Sequence, residues 1–310
     1  MLFESALNTS QLPEKPWKPG AVVRLAVSVF ICIMTGGVVA TTLRYFETPQ
    51  TSSAAWFLVV IVGAFASFAG AVFLLARPWP LEERYLVRLI ALLSCIYGGF
   101  LLTWLAGRFI NGKIELPNPV MNMLIGLVSF QGSAMVLVHF FLREHHTGWW
   151  EGFGLENRPA FSLLLGFCAG ILVLYPAWEL QDLSIRLFQR FAFHPHEQQA
   201  VEILRQSEGL VEQITLAVAV IFIAPIGEEL LFRGILYPAL KRGYGKHLAL
   251  WSTAILFGAI HLNLASFVPL TLLAVVLVWL YEYTGNLIAS IAVHCVFNAA
   301  NFVLLYHFQK

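Results

Sequence analysis

Ile226-Gly227-Glu228-Glu229-Leu230-Leu231-Phe232-Arg233 sets three ionisable groups in a run, Ile214 to Leu240, that holds no other charge. At the centre of a bilayer each such group costs roughly 2.5–3.5 kcal/mol on insertion scales. The three must therefore be paired, hydrated or both. On an α-helix Glu229 and Arg233 are four apart, share a face and can pair. Glu228 and Arg233 are five apart, which leaves Glu228 turned toward another helix or a water-filled cavity. A packing network explains the pair and leaves Glu228 unexplained.

The rest of the chain points to lipid as the solvent. Its 310 residues are 58% hydrophobic and 12% charged, where a soluble domain has about 25% charged residues. Mean hydropathy is +0.74. The expected fold is all-α, a polytopic membrane bundle of eight or nine helices, each but one near the ~20 residues a bilayer needs. Spans are expected near Ala21–Leu43, Ala54–Ala76, Tyr85–Ala106, Val120–Leu142 and Phe161–Leu180. Others fall near Ile214–Leu240, Leu248–His261 (the short one), Phe267–Tyr283 and Asn286–Tyr306. The distribution of Lys and Arg favours a cytoplasmic N-terminus, and the expected location is the plasma (inner) membrane.

A net charge of +1 argues for no nucleic-acid partner. Membrane lipids and a membrane-associated protein or peptide are the expected partners. Cys32, Cys95, Cys168 and Cys295 lie in apolar runs without CxxC spacing, so neither disulfides nor a cysteine metal site is expected. The first apolar run is too long for a signal-peptide core, and no cleaved leader is expected.

Three domains are expected. Residues 1–20 form a polar tail, flexible or lying on the membrane surface. Residues 21–145 form a front transmembrane half of no assigned role, and residues 146–310 the half that carries the polar clusters. Two connections exceed simple loops. His145 to Leu155 mixes aromatic and polar groups as an interfacial segment does. Gln181 to Glu212 is long, charged and amphipathic, suited to the membrane surface. Gly166-Phe167-Cys168-Ala169-Gly170 is a GxxxG that favours close helix packing.

Two further polar clusters interrupt the apolar spans. Phe257-Gly258-Ala259-Ile260-His261 ends one helix, and His294-Cys295-Val296-Phe297-Asn298 sits inside the last. His294 and Asn298 are four apart and share a face, with Asn301 close to the same stripe. Glu228 and His261 each lie roughly 25 Å along their helices from the basic turn at Lys241–Lys246, at a rise of 1.5 Å per residue. They are level.

Glu228-Glu229-x-x-x-Arg233, Phe257-x-x-x-His261 and His294-x-x-x-Asn298, in this order on successive helices, resemble the CPBP family. That family comprises CAAX prenyl proteases and bacteriocin-processing membrane enzymes, also called Abi. Phe153-Gly154-Leu155 resembles the segment that often precedes the family's core. The resemblance covers about Trp149 to Tyr306. It implies an intramembrane glutamic endopeptidase in which Glu228 and His261 activate water while His294 and Asn298 stabilise the oxyanion. Glu229 and Arg233 match the motif's supporting positions, as does Phe257. Prenylated CAAX-type proteins are one substrate class it implies.

Peptide hydrolysis in a membrane asks for a base on water and for donors where negative charge develops. These residue types supply both, and no cofactor is expected. Zinc held by Glu228, His261 and His294 is the metal alternative. An aspartyl mechanism is excluded, because Asp182 is the chain's one aspartate. His196-Glu197-Gln198-Gln199-Ala200 lacks the second histidine of a zinc-peptidase motif. A proton-coupled transporter or a non-proteolytic membrane scaffold is the reading from another class.

Overall fold

The computed structural model describes residues 12–45, 124–191 and 209–308. The expected spans at Ala54–Ala76 and Tyr85–Ala106 lie outside them, as does Cys95. Among the described residues every regular element is helical. Six helices among the described residues are long and apolar enough to cross a bilayer, and the chain is an integral membrane protein. They are α1 (Pro19–Tyr45), α2 (Leu124–Glu144), α4 (Pro159–Arg190), α5 (Leu210–Tyr244), α7 (Leu264–Thr284) and α8 (Leu287–Phe308). Two shorter helices are α3 (Trp149–Phe153) and α6 (Lys246–Ile260).

The chain falls into two compact units, one of Val23–Leu137 and one of Met1–Val22 with Val138–Lys310. In the first, Cys32 is fully buried, and Ser133 donates its hydroxyl to the Ser129 carbonyl at 2.6 Å beside a π turn, Val128–Gly132. All three polar motifs belong to the second.

In that unit α4 packs along α7 and α8. The GxxxG does what its spacing predicts. Gly166 lies against the backbone of Ala289 and the side chain of Ala292, and a Cβ on Gly170 would stand 2.7 Å from Val296 Cβ. The opposite face of α4 exposes Leu164, Ile171 and Leu172, as a lipid-facing helix does. We expect Gly170→Leu to push α4 off α8 and lower the melting temperature in detergent, overpacking typically costing ~1–3 kcal/mol. Gly243→Leu, where a Cβ meets nothing within 4 Å, should shift it little.

One expectation is corrected in α4. The surface segment expected from Gln181 begins as ten more residues of the same helix, ending at Arg190. Leu, Gln and Arg there are good helix formers, and Asp182 pairs with Arg186 one turn on at 2.7 Å. At 32 residues α4 is roughly 48 Å long, well beyond the ~30 Å hydrocarbon core.

A second correction concerns the polar tail. Residues 12–18 are neither helical nor loose: Leu12, Lys15 and Trp17 are buried, Trp17 to 1%. The Trp17 ring meets Phe141 and His145 edge-on, and its indole N–H donates to the Gly234 carbonyl at 3.0 Å. Lys15 donates to the Glu151 carbonyl at 3.3 Å. Burial pushes the Lys15 ammonium below its ordinary value, opposed by the Glu151 carboxylate.

The geometry of α5 explains why Gly234 needs that donor. Two π segments, Ala219–Ile223 and Leu230–Leu236, flank Ala224–Glu229, and a proline follows each at Pro225 and Pro238. Proline has no N–H to give the turn behind it. Pro238 leaves the Gly234 carbonyl four residues back without its helical donor, and Trp17 supplies one. Pro225 likewise cannot donate to Val220 five residues back, where a π turn would place the bond. Asn298 Nδ2 does so instead, at 2.8 Å. The helix therefore continues through both prolines.

Candidate active site

Glu228 and Glu229 end the helical stretch between the two π segments, and Arg233 lies within the second. The expected pair is present: Arg233 donates from Nη1 to Glu229 Oε1 at 2.7 Å, with the side chains 1% and 0% exposed. Nη2 reaches the Ala274 carbonyl of α7 at 3.4 Å, and the guanidinium carbon stands 4.4 Å from the centre of the Phe257 ring. That contact is a cation–π interaction.

Glu228 is 8% exposed and its Oε2 has no hydrogen-bond partner among the described residues. It faces α8, where His294 Nε2 lies 3.8 Å away. The other nitrogen of that ring, Nδ1, is 2.9 Å from Glu229 Oε1. His294 thus stands between the two glutamates, touching one and facing the other. Neither the spacing of the motifs nor helix geometry announced this contact.

His261 caps α6 and is half-buried. Its Nδ1 lies 2.7 Å from the Phe257 carbonyl, so Nδ1 carries the proton and Nε2 is left as an acceptor. No hydrogen bond joins it to Glu228 among the described residues. Phe257 links the motifs physically. Its ring is 4.9 Å from that of His261, 5.6 Å from that of His294 and 5.3 Å from that of Phe232, centre to centre. The three motifs share one level of the bundle.

Asn298 spends one N–H on the Val220 carbonyl and retains a second. Asn301 is turned away from the cluster, accepting from Trp178 at 2.9 Å. Among the described residues no three His, Cys, Asp or Glu side chains are arranged to hold a metal ion.

Phe153-Gly154-Leu155 supports the site from behind. Phe153 is fully buried against Gly234, where a Cβ would come within 2.8 Å of its Cδ1. Gly154, at φ +68°, lies against the Gly285 carbonyl, a conformation and an approach that favour glycine. Asn286 donates to the carbonyls of Leu155 and Asn157 at 3.3 and 2.8 Å, and Asn157 donates to Thr284 at 2.7 Å.

One buried carboxylate escaped the sequence reading. Glu282 of α7 accepts from Tyr237 at 2.7 Å and from Lys241 at 2.6 Å, with Lys246 at 3.2 Å. It clasps α5, α6 and α7 at the end where Gly245 turns the chain. A lone acid near the end of an apolar run, two helices after a basic turn, was the available signal.

Residues 210–300 match the model of a family described as Rce1-like, type II CAAX prenyl endopeptidase. The match takes in all three motifs and none of the helices before α5. The chain is also 33% identical over 76 residues to a protein described as uncharacterized, YpbD of Bacillus subtilis (strain 168). That stretch covers 23% of this chain and 36% of YpbD, about a third of the relative's length. No solved structure matches. The resemblance carried by the three motifs is borne out: residues 210–300 are similar to a family described as Rce1-like, type II CAAX prenyl endopeptidase.

Proposed function

We propose that the chain is an intramembrane endopeptidase that hydrolyses a membrane-associated protein or peptide through water activated by Glu228 and His261. What carries the reading is Glu228, a buried carboxylate whose Oε2 has no hydrogen-bond partner among the described residues, beside a glutamate that Arg233 and His294 both hold through its Oε1. A strut would be paired; a base must keep a lone pair free. His261 supports it: with Nδ1 donating to the Phe257 carbonyl, the neutral ring keeps its lone pair on Nε2.

In this mechanism Glu228 takes a proton from water as the water oxygen attacks the peptide carbonyl carbon. The oxyanion then accepts from the remaining N–H of Asn298 and from His294. Collapse breaks the C–N bond, and Glu228 returns its proton to the leaving amine. The matched family makes CAAX-type prenylated proteins the first substrates to try.

The test is cleavage of a peptide library, CAAX-type prenylated peptides included, by purified protein in liposomes, with products mapped by mass spectrometry. We expect cleavage to persist after extensive chelation, with far less than one zinc per chain by metal analysis. Inhibition by chelator that stoichiometric zinc restores would overturn the glutamic mechanism in favour of zinc-activated water. Absence of cleavage together with proton-coupled flux would favour a transporter.

A further inference from the structure

We propose that Glu229 is a positioning residue for His294, fixing which ring nitrogen of that histidine faces Glu228. The kinetic consequence rests on the peptidase reading above; the geometry does not. Glu229 Oε1 accepts from Arg233 and lies 2.9 Å from His294 Nδ1. An ionised carboxylate has no proton to give, so Nδ1 carries one. The neutral ring then turns the lone pair of Nε2 toward Glu228 Oε2, 3.8 Å away.

The count of charges gives the arrangement its meaning. Two carboxylates and one guanidinium are buried together, and one further proton balances them. With Nδ1 committed to Glu229, His294 Nε2 and Glu228, 3.8 Å apart, are the facing positions that can hold that proton. His294 can donate to an oxyanion only from Nε2, and only while it holds that proton. In the opposite tautomer Nδ1 would meet Glu229 lone pair to lone pair, and Nε2 would have no lone pair to turn toward Glu228. A carboxylate that served merely to neutralise Arg233 would have no need of a second partner 65 residues further along the chain.

The test uses the full chain with ¹⁵N-labelled histidine in lipid nanodiscs, the His294 signal being assigned by its loss in His294→Gln. Two double variants differ only in an acceptor. Glu229→Gln with Arg233→Met keeps an amide oxygen opposite Nδ1; Glu229→Leu with Arg233→Met removes it. Both delete the buried charges together, a change often neutral for stability.

We expect Nδ1 to be protonated in the wild type and in the Gln variant, and the Leu variant to shift toward the Nε2-protonated form. With KM little changed, kcat in the Leu variant should fall by up to ~10⁴-fold, as a wrong histidine tautomer costs in serine proteases, and the Gln variant should keep more of it. A bare Nδ1 in the wild type overturns the assignment whether or not either variant folds. So does the same ring signature in the Leu and Gln variants. If the ring behaves as expected while no form cleaves any peptide, the peptidase reading fails and the positioning assignment stands.

Discussion

Purified Glu228→Gln protein is expected to insert, fold and cleave nothing measurable. Glutamine has nearly the same shape, and Glu228 Oε2 has no hydrogen-bond partner among the described residues that the change would remove. That oxygen lies 3.8 Å from His294 Nε2. What the substitution removes is the site that accepts a proton from water. General-base catalysis contributes ~10²–10⁴-fold, so the loss should be at least of that order. Single-turnover cleavage of the best library peptide, with folding checked by gel filtration and thermal unfolding, reads both halves. Retention of a tenth of the wild-type rate in a well-folded sample would sink the assignment of Glu228.

Glu229→Ala should fail differently, by losing the fold before the chemistry. It removes the carboxylate bonded to the Arg233 guanidinium, 1% exposed, and leaves it the Ala274 carbonyl, the Phe257 and Phe232 rings and the more distant charge of Glu228. It also takes the acceptor from His294 Nδ1. Breaking a buried pair by removing one partner typically costs ~3–5 kcal/mol, a large share of an ordinary domain's ~5–15 kcal/mol of stability. Lower yield and a markedly lower melting temperature are expected. A variant as stable as the wild type would show that Arg233 finds its compensation elsewhere. The contrast between adjacent glutamates is the sharper result: one change removes activity with the fold intact, the other removes the fold.

Much of this was legible in the sequence because membranes make charge expensive. Glu228, Arg233, His261 and His294 stand out against apolar runs, and the i,i+4 rule paired Glu229 with Arg233 correctly. The close approach of α4 to α8 was legible for a similar reason, since Gly166 and Gly170 repeat at helical spacing. Other features were hidden by physics that spacing does not encode. The rotation of α8 about its axis, which turns His294 Nδ1 onto Glu229, depends on packing with α4, α5 and α7 together. The π segments of α5 change which face each following residue presents, and they follow from where Pro225 and Pro238 leave carbonyls without donors. Trp17 was read as part of a polar tail because its partner, the Gly234 carbonyl, is a backbone atom and leaves no mark in composition.

Gly234 receives three parts of the chain at once: the indole of Trp17, the ring of Phe153 and the turn that carries Arg233. Two of the three lie outside residues 210–300, where the kinship with other proteins is legible. The folding unit is thus wider than the homologous one. A fragment cut at the edges of the family match would leave one carbonyl without a donor and one slot without its ring, both on α5 beside the polar cluster. In a bilayer neither deficit is made good by water. Boundaries for dissecting or grafting this domain therefore follow the hydrogen bond of Trp17 and the seat of Phe153, not the limits of resemblance.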